Sequence, residues 1–128
     1  MKKDFDKWNE RKKDINDKNK NRFYHPREVW WCSLGVNVGF EQDGTNDFFQ
    51  RPVLIIRAFS RHVCLIVPLT TSKKKNPYHI SLGKINDVKS FAITSQIRLV
   101  DTKRFTDRLS VLNKRAFDEI RNAIRDLI

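Results

Sequence analysis

The sequence predicts a mainly β protein with some helix, folded as a small, mostly antiparallel barrel or curled sheet of about five strands with helices on its outside. Short runs of β-branched and aromatic residues are separated by glycine, proline and polar turn residues, which is typical of strands joined by short connections. No stretch alternates strand and helix as a parallel sheet requires. A helical apolar repeat occurs at the end of the chain. With 128 residues, the chain can bury a real core as one domain.

The strands are predicted from runs of strand-forming residues between clear breaks. They cover residues 28–34, 52–58, 62–67, 78–82 and 89–101, the last interrupted by the polar residues 94–96. Gly35 ends the first strand, and the three residues 59–61 are few enough to join the second and third strands as a hairpin. Pro68 is expected to close the third strand, because proline has no N–H to donate to a sheet.

The carboxyl end is predicted to be a helix that packs on the sheet. Its apolar positions recur at helical spacing and its charges fall on the other face, with Asn113 as the predicted cap. These apolar positions are Phe117, Ile120, Ile124 and Leu127.

The amino end differs from the rest because it is mostly charged or Asn. Asp4 can cap a short helix whose apolar stripe is Phe5 and Trp8, with Ile15 further along. Such a stripe is too narrow to fold alone, so the segment either docks on the domain or stays mobile. We therefore divide the chain into a charged, helical extension, residues 1–26, and a barrel domain, residues 27–128.

The charge favours a polyanionic partner. The chain has 26 Lys and Arg against 15 Asp and Glu, a net charge of +11. Residues up to Arg27 carry 10 basic and 5 acidic side chains and the rest carry 16 and 10, so the charge is not confined to a tail. Nucleic acid is the favoured partner, although a membrane surface or an acidic protein would fit charge alone.

The sequence also indicates the compartment. No apolar run approaches the roughly 20 residues of a membrane span, and the amino terminus lacks the apolar centre of a signal peptide. Cys32 and Cys64 lie in apolar strand-like runs without ligand spacing, so we expect reduced core thiols in a cytoplasmic protein.

Several familiar catalytic patterns are missing from the sequence. There is no Gly-x-Ser-x-Gly elbow, no phosphate-binding loop ending in Gly-Lys-Ser/Thr and no Cys–His cluster for zinc. The acidic residues are scattered, so we expect no metal site and no cofactor. His25, His62 and His79 are more typical of surface histidines than of catalysts.

Arg51 is the charged residue whose position is most informative. It follows a polar loop containing Gly39 and Gly44 and precedes Pro52, which fixes the entrance to an apolar strand. A rigid loop-to-strand junction can hold a charge for a ligand, although a solvated arginine before a strand would give the same pattern. If the protein is a nuclease, the scattered acidic residues favour a metal-free mechanism. Metal-free RNA cleavage needs a base for the ribose 2′-hydroxyl, donors for the charged phosphorane and an acid for the leaving 5′-oxygen. The planar arginine fork suits the donor role.

Thr70 and Thr71 can add hydroxyl donors beside Arg51, because they end the strand next to the Arg51 strand. An ordinary strand end with turn-forming hydroxyls is the alternative. Beyond them, Lys73, Lys74 and Lys75 form an exposed basic turn that could follow an RNA backbone or could simply be solvated.

Taken together, four motifs resemble the PemK/MazF-like toxins of type II toxin–antitoxin systems, over about residues 27–128. They are Gly39-x-Glu41-Gln42-x-Gly44, Arg51-Pro52-Val53-Leu54-Ile55-Ile56, Pro68-Leu69-Thr70-Thr71 and Ser95-Gln96-Ile97-Arg98. The resemblance implies a compact SH3-like or CcdB-like barrel, a homodimer, and neutralisation by a cognate antitoxin protein. It also implies a sequence-selective endoribonuclease that cuts single-stranded RNA without metal. The products would be 2′,3′-cyclic phosphate and 5′-hydroxyl ends, and cleavage of mRNA would inhibit translation.

The resemblance also assigns residues. Arg51 matches the catalytic arginine of the family and Thr70 its Thr/Ser partner, while Ser95 stands where some relatives carry an acid–base aspartate. Phe40 replaces a histidine or serine of some relatives, so the proton-transfer residue is open. The expected substrate-binding residues are Glu41, Gln42, Thr71, Lys73, Lys74, Lys75, Gln96 and Arg98.

Two other functions remain open at the level of sequence. A gyrase-directed toxin of the same fold would have an apolar target-binding carboxyl terminus without the pair Arg51 and Thr70, whereas this terminus is charged. A non-catalytic nucleic-acid-binding barrel would spread stacking aromatics over one strand face.

Overall fold

The computed structural model describes residues 3–21, 23–35, 37, 43–44, 49–73 and 75–128. These residues form two helices, seven strands and two short 3-10 turns, at Thr94–Gln96 and Thr102–Arg104. The helices are α1 (Phe5–Lys18) and α2 (Lys114–Asp126). The strands are β1 (Glu28–Ser33), β2 (Gln50–Ala58), β3 (Val63–Thr70), β4 (His79–Ile85), β5 (Val88–Ile93), β6 (Arg98–Asp101) and β7 (Phe105–Val111). Within the described ranges, neither helix is long and apolar enough to cross a membrane.

The strands form a curled antiparallel half-barrel in the order β4-β5-β3-β2-β1-β7. Strand β3 pairs with β2 along one edge. Along its other edge it pairs first with β6 and then, over Leu69 and Thr70, with β5. The predicted fold class, a mainly β antiparallel barrel or curled sheet with a carboxyl-terminal helix and a helical amino-terminal extension, is confirmed as a curled half-barrel.

The sheet has two apolar faces because successive side chains point to opposite sides. One, the α2 face, includes Val29, Leu54 and Val67 and packs against Phe117 and Ile120 of α2. Asn113 caps α2 as predicted, since its side chain accepts a hydrogen bond from the Ala116 N–H.

The other side of the sheet, the cysteine face, includes Cys32, Val53, Cys64 and Ile66. Both cysteines are buried and free, as the apolar runs around them predict.

A buried carboxylate fixes the start of β1. Glu28 Oε1 accepts hydrogen bonds from Trp30 Nε1 at 3.0 Å and from the His25 N–H at 2.8 Å. Its Oε2 accepts from Arg108 Nη1 at 3.1 Å. Burial alone would raise the pKa of Glu28, but these donors together lower it below its ordinary value.

The prediction that Pro68 closes the third strand is wrong. Strand β3 continues to Thr70, and Pro68 pairs with Val53 of β2. On the opposite edge, Pro68 falls between Ile66, the last residue paired with β6, and Leu69, the first paired with β5. Proline is tolerated there because neither β6 nor β5 pairs with it on that edge.

The predicted count of about five strands was too low, because β7 was missed and the long strand 89–101 is divided between β5 and β6. Strand β7 lies at the edge of the sheet and pairs with β1 through two register shifts. These irregularities and its exposed charges Asp107 and Arg108 break the alternation that would identify a strand.

The amino-terminal segment docks on the domain. Asp4 caps α1 through the Lys7 N–H. The buried residues of α1 are Trp8 and Ile15, whereas Phe5 is 50% exposed and is not part of the docking stripe that was predicted. Trp8 packs against Phe49, with ring centroids 5.6 Å apart.

Candidate functional site

The strand registers bring chemically distinct residues into one line across the cysteine face. Cys32 pairs with Arg51, and Thr70 pairs with Phe91, which pairs in turn with Ser81. Val53 lies opposite Pro68, so continuing this register by two residues brings Arg51 opposite Thr70. We call Cys32, Arg51, Thr70, Phe91 and Ser81 the site row.

Arg51 is held in the site row by backbone carbonyl groups on both sides. Its Nε donates to the Asp43 carbonyl oxygen at 2.7 Å, and its Nη1 donates to the Leu69 carbonyl oxygen at 3.0 Å. These bonds fix the plane of the guanidinium group. Burial lowers the pKa of Arg51, and the nearby Asp43 carboxylate opposes that shift. The ordinary pKa of arginine is so high that the group stays charged at neutral pH.

Thr70 is half-buried at the end of β3 and its hydroxyl oxygen accepts a hydrogen bond from the Ser72 N–H at 3.1 Å. Because that bond uses an oxygen lone pair, the hydroxyl proton can be donated elsewhere. Thr71 is exposed one residue further on. The structure thus brings Thr70 to the neighbouring strand position beside Arg51.

Two more arginines approach the cysteine face near the site row. Arg98 pairs with Ile66 and therefore projects to this face. Arg104, which was not predicted, donates from Nη1 to the Ser33 carbonyl oxygen at 2.9 Å. Burial raises the pKa of Cys32 to about 12, against the opposing positive charges of Arg104 and Arg98. Both arginines therefore lie close to the residue that pairs with Arg51.

Partial burial also affects the charged state of Arg104. Burial lowers its pKa, the Cys32 and Asp101 groups oppose the shift, and Arg98 adds to it. Two like charges on one partly buried face form a site that favours an anion.

Ser95 and Gln96 lie outside the site row. They belong to the 3-10 turn that joins β5 to β6 beside the middle of β3, where Ser95 is exposed and Gln96 is half-buried. The turn is anchored by Thr94, whose N–H and Oγ1 both donate to the Tyr78 carbonyl oxygen, at 2.9 and 2.7 Å.

The basic turn follows Thr70 directly. Lys73 and Lys75 are exposed and line an open groove with His79 and Phe91. The predicted site residues Glu41, Gln42 and Lys74, together with Phe40, lie outside the described residues.

The histidines do not meet in the site row. His25 and His62 are exposed, and His62 Nδ1 contacts the Asn21 side chain at 3.0 Å. His62 precedes β3, roughly 25 Å along the strand from Thr70. In the described part of the chain, no three His, Cys, Asp or Glu side chains are grouped so that they could hold a metal ion.

Three contributors to the site were missed from the sequence. Phe91 joins the row only through pairing with Thr70, which no local pattern reveals. Asp43 contacts Arg51 through its backbone carbonyl group, which every residue has, so the identity of the residue does not predict this contact. Arg104 was detectable only as one of many basic residues.

The protein is therefore a small antiparallel half-barrel with a basic face. An arginine and a threonine lie on neighbouring strand ends of this face. Residues 25–128 match the family model of the PemK-like, MazF-like toxin of type II toxin–antitoxin systems. The chain belongs to this family, whose members are typically endoribonucleases. No curated protein matches the chain.

Solved structures share the fold at low sequence identity. MazF from Deinococcus radiodurans is 18% identical, with a TM-score of 0.68 over 83% of this chain and 96% of that one. An endoribonuclease from a mycobacterial species, solved in complex with its cognate antitoxin, is 17% identical, with a TM-score of 0.61 over 81% and 93%. The Mycobacterium tuberculosis toxin MazF-mt6 is 16% identical, with a TM-score of 0.60 over 78% and 94%.

Proposed function

We propose that this protein is the toxin of a toxin–antitoxin system and a metal-independent endoribonuclease that cuts single-stranded RNA. The observation that carries the proposal is Arg51, held by two carbonyl groups beside Thr70 in a chain of the MazF-like family. We assign the catalytic domain to residues 27–128 and treat residues 1–26 as an extension of it.

The proposed reaction uses the ribose 2′-hydroxyl as an internal nucleophile. Its oxygen attacks the adjacent phosphorus, the bond to the 5′-oxygen breaks, and the products are a 2′,3′-cyclic phosphate and a 5′-hydroxyl. Arg51 stabilises the charge on the phosphorane, because its fork can donate two hydrogen bonds to phosphate oxygens. It is a poor general base, since the ordinary pKa of arginine lies far above neutral pH.

Thr70 donates its hydroxyl proton to a phosphate oxygen in this proposal. The Ser72 N–H donates to the oxygen of that hydroxyl, so the hydroxyl proton remains available to donate to another acceptor. Ser95 is proposed to assist proton transfer, and its exposure leaves it accessible to a bound RNA.

The substrate is proposed to follow the basic face. Arg98, Gln96 and Thr71 would contact RNA near the site, and Lys73, Lys74 and Lys75 would follow its backbone. Glu41 and Gln42, which precede Arg51 in the sequence, are proposed to bind the substrate as well.

The proposed protein partners are a second copy of this chain and a cognate antitoxin. A mycobacterial relative with the same fold was solved with its cognate antitoxin, which supports the second partner. A cytoplasmic location would bring the protein together with mRNA.

The decisive experiment incubates purified protein with mixed-sequence RNA in excess EDTA and maps the new ends. We expect cleavage with 2′,3′-cyclic phosphate and 5′-hydroxyl ends, and no cleavage of DNA of the same sequence. Cleavage that EDTA abolishes and magnesium restores would overturn the metal-independent mechanism. RNA binding without new ends would instead indicate a non-catalytic binding barrel.

A further inference from the structure

Asp43 connects three parts of the molecule. Its backbone carbonyl oxygen accepts the hydrogen bond from Arg51 Nε at 2.7 Å. Its side-chain Oδ1 accepts from the Asn37 N–H at 2.7 Å, and its Oδ2 pairs with Lys3 Nζ at 3.2 Å. The residue that orients Arg51 is therefore itself held by the amino-terminal extension.

The contact made by Lys3 is more than an exposed ion pair. Lys3 Nζ also donates to the Asn37 carbonyl oxygen at 2.6 Å, so one ammonium group bridges both residues. The side chains of Lys3 and Asp43 are only 23% and 25% exposed. At this level of burial, salt screens the pair less than it screens a fully exposed one.

The position of Lys3 is fixed by α1, which is docked at both ends. The Trp8 indole packs on Gly35, whose φ of +79° and lack of a Cβ allow this approach, and it lies 5.7 Å from the Arg104 guanidinium. At the far end, Asn19 donates to the Lys103 carbonyl oxygen at 3.0 Å. Lys3 therefore reaches Asp43 from a rigid support.

We propose that Lys3 is a positioning residue for Arg51 and acts through Asp43; this inference rests on the proposed function. When Lys3 is present, the Asp43 side chain is held from two sides and its carbonyl group points at Arg51 Nε. When Lys3 is lost, the Asp43 peptide can rotate and the guanidinium group loses its fixed plane. Turnover should suffer more than affinity, because the positive charge of Arg51 is still there to attract phosphate.

Three variants test the role of Lys3. Lys3→Met removes the charge at similar length, Lys3→Arg keeps it, and Lys13→Met removes the same charge from an exposed position of α1. We expect kcat for RNA cleavage to fall about tenfold in Lys3→Met, with KM within about twofold, since small displacements of a catalytic group are costly. Lys3→Arg and Lys13→Met should stay close to the wild type. An equal loss in Lys3→Met and Lys13→Met would show a net-charge effect and overturn the proposal.

A second measurement is independent of activity. The solvent exchange rate of the Arg51 Nε–H can be followed by NMR, with the resonance identified by its loss in Arg51→Ala. We expect faster exchange in Lys3→Met than in the wild type or Lys13→Met, with all three proteins folded at the temperature of the measurement. Unchanged exchange in Lys3→Met would overturn the positioning role even if the protein cleaves RNA. Faster exchange in a protein that cleaves no RNA would leave the coupling standing and remove only the proposed function.

Discussion

Replacing Arg51 tests the proposed site most directly. A substitution that keeps its positive charge but loses its two described hydrogen bonds shows whether the charge alone is sufficient. Lysine keeps the positive charge, but its single nitrogen cannot span the Asp43 and Leu69 carbonyl oxygens, which lie 2.7 and 3.0 Å from different nitrogens of Arg51. A lysine therefore loses the fixed donor plane that a phosphorane requires. We expect Arg51→Lys and Arg51→Ala both to reduce kcat by at least about 10², the usual scale for one transition-state donor.

The folded state should survive these substitutions. Losing the two bonds to carbonyl groups should cost about 1–3 kcal/mol of unfolding free energy, because hydrogen bonds to charged groups contribute about 1.5–3 kcal/mol each when fully formed and Arg51 is only partly buried. A domain of this size typically has about 5–15 kcal/mol. Thermal unfolding should therefore show a folded variant with a lower melting temperature.

Arg57 supplies the matched control, since it lies on the same strand, is exposed and is far from the site row. Single-turnover cleavage of a defined RNA should be unaffected by Arg57→Ala. Turnover of Arg51→Ala within twofold of the wild type, in a preparation free of other ribonucleases, would remove Arg51 from the site. A similar loss in Arg57→Ala would mean that overall charge, rather than the held guanidinium group, controls the rate.

The other predictions concern the threonine, the basic turn and the buried carboxylate. Thr70→Ala should lower kcat more than it raises KM, and a change in KM alone would make Thr70 a binding residue. Changing Lys73, Lys74 and Lys75 to Gln in an Arg51→Ala background should flatten the slope of log affinity against log salt by about 2, at about 0.7 per phosphate contact, whereas equal slopes would leave the lysines as bystanders. Glu28→Gln should lower the unfolding free energy by about 1–2 kcal/mol at neutral pH. Because folding lowers the pKa of Glu28, its stabilisation is present above its ordinary value of 4.5 and disappears as the pH falls through the folded-state pKa. Denaturant titrations of the two proteins should therefore converge in acid, and a constant difference down to low pH would contradict the role of this carboxylate.

The elements that were predictable from sequence are those whose burial pattern is regular. Helix α2 buries Phe117 and Ile120 against the sheet, so its apolar spacing follows one helix face. Strands β1 and β2 lie inside the sheet and read as continuous apolar runs. Strand β7 is an edge strand with register shifts, and three of its seven residues are exposed, so the alternation that identifies a strand was lost.

The residues of the proposed site divide in a similar way. Some are brought together by a hairpin between consecutive strands, and others by pairing between strands that are distant in the sequence. Arg51 and Thr70 were identified because Arg51 lies at the start of one strand of the predicted hairpin and Thr70 follows the other, and antiparallel pairing places these two ends together. Phe91 could be placed beside Thr70 only by knowing that β3 pairs with β5, although β4 lies between these two strands in the sequence. Long-range pairing of this kind is not encoded in a short window of residues.

The contribution of α1 was the least predictable, because it depends on contacts between distant and irregular parts of the chain. Lys3 contacts Asp43, 40 residues away in the sequence. Trp8 contacts Gly35 and Arg104, which lie in the connections between strands. From sequence, the extension is a weak amphipathic helix with more charge than apolar surface. Its few apolar residues fix its position against Gly35, Phe49 and the 3-10 turn at Thr102–Arg104, and a single lysine then reaches the carboxylate behind the proposed catalytic arginine. A charged extension can thus belong to a site through one contact, even when its sequence predicts no binding or catalytic role.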